Sequence, residues 1–195
     1  MLIVNTKFWW YVARSSGLVA WGVLALSVAF GLVLSSRFFG RRTNPAWTLS
    51  VHRFLGGMGV VFTGLHLAGL YADDYVQFTI GDFLIPGSSP WRPGAVTWGV
   101  VSLYVLIAIE GTSLLMRHLP RRLWRAVHWL SPALFITASV HTYQAGTDIG
   151  RHAVQVGIAT IVALAVLTTV RMATARRRTH RPRPLLPTRT EIGAA

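Results

Sequence analysis

The chain has 195 residues, 52% hydrophobic and 13% charged, with no cysteine and a formal net charge of +13. That length and composition fit one domain of membrane-protein type, and the missing thiols exclude disulfides, thiolate metal sites, iron–sulfur clusters and covalent haem attachment through C-x-x-C-H. The basic residues fall between apolar runs and in the tail, where topology and anionic lipid account for them better than nucleic acid, so no nucleic-acid partner is expected.

A hydrocarbon core about 30 Å thick takes roughly 20 apolar residues as helix. Five stretches approach that length: 10–34, 51–71, 95–116, 125–143 and 153–171. The expected fold is an all-α integral membrane bundle of five helices within residues 1–175. The leading "MLIVNTKFWW" is too short for a signal segment with a cleavage site, and Trp9, Trp10 and Tyr11 read as an interfacial anchor, so the first helix is expected to be retained. The link after it carries Arg37, Arg41 and Arg42, with Arg53 just inside the second helix. Between helices two and three lies "YADDYVQFTIGDFLIPGSSPWRP", an acidic, aromatic loop that reads either as a lid or as a plain exposed connection. Helix three contains Glu110 and is followed by Arg117, Arg121, Arg122 and Arg125. After helix five, residues 176–195 combine proline and charge without apolar period, and read as a disordered basic tail near the lipid surface. Lys and Arg near helix ends stay on the cytoplasmic side, and all but Lys7, Arg14, Arg92 and Arg151 fall on one face. The N-terminus is therefore expected outside and the C-terminus inside, in a multi-pass protein of a bacterial plasma membrane.

Four histidines fall inside these helices: His52 and His66 on the second, His128 and His141 on the fourth. At about 1.5 Å per residue each pair spans roughly 20 Å, which puts one histidine near each leaflet. Both helices run in the same direction, so His52 matches His128 in depth and His66 matches His141. A lone intramembrane histidine is commonly an interhelical hydrogen bonder. Four of them, paired by depth, point instead to b-type haem, whose iron takes two axial imidazoles. Zinc or copper needs ligands converging on one ion, which pairs separated by roughly 20 Å do not supply. Steps of three or four from His52 reach Gly56, Gly59, Thr63 and His66, a face nearly free of bulk that suits either a macrocycle or helix–helix packing. On an ideal helix His128 and His141 stand well apart in azimuth, and Pro132 between them is the feature available to turn one toward its partner. His118, His152 and His180 read as interfacial or tail residues.

The stretches "HRFLGGMGVVFTGLH" and "HWLSPALFITASVH", with histidines 14 and 13 residues apart, resemble the ferric reductase-like transmembrane domain family, which includes ferric reductases and the membrane core of NADPH oxidases. Further likeness lies in "WYVARSSGLVAWGVLALSVAFGLVLSSR" and "EGTSLLMRHLPRRLWRAVH", so that it covers most of residues 9–171. The resemblance implies two stacked haem b groups, His52 and His128 on the inner one, His66 and His141 on the outer. It also implies electron transfer outward from a cytosolic flavin to an acceptor such as ferric chelate or oxygen. The segment after helix five is too short for the flavin and nicotinamide domains fused in the oxidases, and "GGMG" lies within a helix rather than in a strand–turn–helix unit. A separate flavoprotein or quinol is therefore the expected donor. The alternatives are a haem subunit serving a partner reductase outside, as in methionine sulfoxide repair, and a helix-packing protein without a cofactor.

Haem propionates call for nearby cations. Arg53 and Arg125 match the depth of the inner pair, while Arg14, Arg92 and Arg151 lie toward the outer one, where the family resemblance implies an arginine near the outer haem. Snorkelling to lipid phosphate competes with that role at every position. Glu110 is a carboxylate within an apolar helix and needs a partner, expected to be Arg53, Arg125 or a free nitrogen of an axial histidine, with proton conduction as a further use.

Overall fold

The computed structural model describes residues 7–36 and 44–146, together with Ala159, Ala163 and Val166, which are helical. Three helices are long and apolar enough to cross a membrane: α1 (Phe8–Ser36), α2 (Pro45–Ala72) and α4 (Pro93–Leu114). Between and after them lie α3 (Ile80–Leu84), α5 (Arg121–His128) and α6 (Ser131–Ala145). No strand occurs among the described residues. The expected fifth helix and the tail fall outside them, apart from the three helical positions just named.

Helix α2 starts earlier than its apolar run, because Asn44 Oδ1 accepts from the Ala46 and Trp47 amides at 3.0 and 3.4 Å and Pro45 holds a helix-ready φ. The expected helix over 125–143 is instead two helices. Pro132 has no N–H to donate to the carbonyl of His128, and the Ser131 hydroxyl takes that carbonyl at 2.6 Å. Leu130 meanwhile closes a tighter turn on Val127 at 2.9 Å, so α5 stops at His128 and α6 sets off again from Ser131.

Helices α1 and α2 form an antiparallel hairpin. They approach closely where Gly69 meets the Ala13 backbone, since a methyl group at Gly69 would lie 2.7 Å from the Ala13 nitrogen. Helices α4 and α6 also pack antiparallel, bridged by Ser102 Oγ donating to Thr137 Oγ1 at 2.8 Å. The two hairpins meet through α1 and α6, where Trp21 stacks on Phe135 and donates to Ser139 Oγ at 2.9 Å. Consequently α2 and α6 run in the same direction. One end of the bundle, here the basic end, carries Arg53, Arg117, Arg121, Arg122 and Arg125, all exposed.

The other end is closed by residues 73–92, which cover the bundle rather than hang free. Phe78 is 6% exposed and packs with Val96 and Val100, flanked by Leu70, Phe83 and Trp91. Tyr104 on α4 donates to the Leu84 carbonyl at 2.7 Å. The Asp82 carboxylate accepts from the Thr79 amide at 2.8 Å and its hydroxyl at 2.7 Å, closing the first turn of α3. Those bonds, the amide's first, hold the Asp82 carboxyl below the usual carboxylate range.

Candidate functional site

The fold brings the helix-borne histidines together in pairs. The His52 and His128 rings lie 5.9 Å apart between centroids with planes at 81°, and the His66 and His141 rings lie 6.2 Å apart at 75°. Each pair joins α2 to the α5–α6 unit, and the break before Pro132 is what lets His128 and His141 both face α2.

Three of the four imidazoles are fixed by a backbone carbonyl on a neighbouring helix. His52 Nδ1 donates to Ser27 O at 2.9 Å, His66 Nδ1 to Ala13 O at 2.6 Å and His141 Nδ1 to Ala95 O at 2.8 Å. A carbonyl only accepts, so Nδ1 carries the proton in each ring. Nε2 is then the nitrogen with a free lone pair, the arrangement seen where histidine binds metal through one nitrogen and is oriented through the other. His128 differs. Its Nδ1 is buried without a hydrogen-bond partner among the described residues, and its ring stacks on Trp124 with centroids 5.1 Å apart at 27°.

Glycines make room for the anchored rings. A methyl group at Gly17 would lie 2.8 Å from His66 Nδ1, one at Gly31 would lie 3.2 Å from His52 Cε1, and one at Gly99 would lie 2.8 Å from His141 Nδ1. Of the small-residue face on α2, Gly56 abuts the Glu110 carboxylate and Gly59 abuts Leu24, so both serve close packing. Thr63 lines a cavity of about 270 Å³ between the hairpins, which also contains His66 and His141 and is roofed by Phe78, Phe83 and Trp91.

The charged candidates divide. Arg14 lines this cavity, with its guanidinium carbon 5.0 Å from the Trp10 ring centroid. Arg92 donates to the Gln144 carbonyl at 2.8 Å, satisfying the C-terminal turn of α6. Arg53 and Arg125 are exposed at the basic end, and Arg151 lies outside the described residues. The Glu110 carboxylate faces α2 at Gly56, one turn beyond His52. No cluster of three or more His, Asp or Glu able to hold an ion occurs among the described residues.

Sequence reasoning did not identify the carbonyls of Ala13, Ser27 and Ala95, the glycines facing the rings, or Trp124. One signal was available: Gly17 and Gly31 are 14 residues apart on α1, the same spacing as His52 and His66 on its antiparallel partner.

No family model, curated protein or solved structure matches the chain.

Proposed function

We propose that the chain is a membrane electron carrier holding two b haems, one between His52 and His128 and one between His66 and His141. The observation that carries this reading is the pairing of imidazoles at ring spacings of 5.9 and 6.2 Å. A metal-bound imidazole nitrogen sits about 2.0 Å from the metal, so an iron shared by two imidazoles would hold their centroids roughly 6 Å apart. The Nδ1 bonds to carbonyls and the cavity beside His66 and His141 support the same assignment. When bound, haem supplies a one-electron ferric/ferrous couple. The chain's own part is to present Nε2 lone pairs, fix ring orientation through Ala13, Ser27 and Ala95, and cover the loop-end cavity with residues 73–92. Arg14 is placed to neutralise a propionate there, and Arg53 and Arg125 are candidates at the basic end. Glu110 is placed to influence the His52 end.

With the basic end in the cytoplasm, electrons would enter there from a separate flavoprotein or quinol. They would leave at the loop end to ferric chelate, oxygen or a partner reductase, as the ferric reductase-like resemblance implies. A helix-packing role without a cofactor is the competing reading, because the same hydrogen bonds stitch α1 to α2 and α4 to α6. Such bonds in membrane bundles contribute only about 0.6 kcal/mol each on average, and packing alone gives no reason for two matched ring pairs.

The test is the spectrum of the oxidised and reduced protein. Steeply inclined imidazole planes predict strongly anisotropic low-spin ferric signals in electron paramagnetic resonance. Reoxidation of the reduced form by oxygen or ferric chelate alone would favour direct reduction of these acceptors, whereas reoxidation only by a reductase would favour the subunit role. A protein without b haem contradicts both.

A further inference from the structure

The two histidine pairs are not equivalent, and the difference lies in His128. His66 and His141 each have an Nδ1 bond to a backbone carbonyl and a glycine clearing space for the ring. In the other pair His52 has both, while among the described residues His128 has neither a facing glycine nor a partner for its Nδ1. What holds the His128 ring is the indole of Trp124, one turn earlier on α5 and itself tied to α4 by Nε1 donating to Ser113 Oγ at 3.4 Å. His128 also ends α5, at the turn where the backbone breaks before Pro132.

A hydrogen bond from Nδ1–H makes an imidazole a better donor at Nε2 and restrains its rotation. Stacking restrains the ring plane but adds no donor strength. We propose, on the footing of the two-haem reading, that His128 is an exchangeable axial ligand with Trp124 as its positioning residue, so that a small neutral ligand such as carbon monoxide binds iron at the basic end while the loop-end pair stays closed. In that exchange the Nε2–iron bond breaks and the carbon–iron bond forms, with no change in oxidation state. His128 keeps its Nδ1 proton and moves off the iron as a neutral imidazole.

The experiment uses the purified full chain, with haem counted beforehand, reduced with dithionite and titrated with carbon monoxide. Expected is binding at one haem of the two, with Trp124→Leu accelerating binding roughly tenfold, the lower end of what loss of an orienting partner produces. Trp124→Phe keeps an aromatic face and is expected to stay near wild type, which separates stacking from general destabilisation. If two haems are counted and carbon monoxide binds neither, binds both alike, or binds Trp124→Leu at the wild-type rate, the proposal is overturned while the two-haem reading stands. If Trp124→Leu does not fold, Trp124→Phe and the wild-type stoichiometry still decide it. Absence of haem in the wild-type protein overturns the underlying reading instead.

Discussion

At the scale of single residues, the anchored imidazoles depend on glycines that the helix propensity scale would count as faults. Gly17, Gly31 and Gly99 lie where a methyl group would press on a histidine ring, whereas nothing lies within 4 Å of a methyl group at Gly22. Gly17→Ala and Gly99→Ala are therefore expected to destabilise by about 1–3 kcal/mol, the usual range for overpacking, and to lower the haem-to-protein ratio through the loop-end site. Gly22→Ala is expected to raise stability by about 0.5–1 kcal/mol through helix propensity and to leave the haem-to-protein ratio unchanged. Thermal unfolding in detergent and absorbance per chain measure both effects. The histidines themselves are legible in the sequence because an imidazole in an apolar run is conspicuous. The carbonyls that orient them are not, because every residue has one and only the packing of α1 on α2 and α4 on α6 selects Ala13, Ser27 and Ala95.

At the scale of elements, the break between α5 and α6 decides whether His128 and His141 address the same partner helix. Pro132 read as a kink; Ser131 turns the kink into a full stop by taking the carbonyl that proline leaves without a donor. Pro132→Ala makes a continuous helix available and is expected to lower haem occupancy, read as haem per chain, with Ser131→Ala weakening the turn by about 1 kcal/mol. The segment over 73–92 left lid and connection open at sequence level, since its aromatic residues suit either. Its closure depends on Phe78 and on the Thr79–Asp82 bonds. The folded Asp82 carboxyl titrates below its ordinary value of 3.8, so its contribution is fully present above that value and is lost as pH falls through the lower folded one. Proteolysis of this segment is expected to rise across that acidic window in the wild type. Asp82→Asn is expected to be more susceptible at neutral pH and to show little of the acid-dependent increase.

At the scale of the whole molecule, the bundle is built around internal space: among the described residues no large side chain is less than 2% exposed, and the cavity holding His66 and His141 lies between the two hairpins. The three long apolar helices were legible from length and hydropathy alone. The antiparallel hairpins follow from glycine contacts whose partners lie 21 to 56 residues away in sequence, such as Gly31 with His52 and Gly69 with Ala13, and that separation hides them from local reading. Orientation is open to a clean test because the chain has no cysteine. A single cysteine at Ser88 is expected to react with an impermeant reagent from outside the cell, and one at Arg122 only after the membrane is opened. The reverse pattern would turn the electron path around.

The most direct test of the central claim is a pyridine haemochrome count on the purified chain and on its His66→Ala and His128→Ala variants. The account predicts two b haems per chain in the wild type and loss of haem in each variant, from the loop-end site in the first and the basic-end site in the second. A wild-type protein without b haem, or variants that both keep the wild-type count and low-spin spectrum, would contradict it.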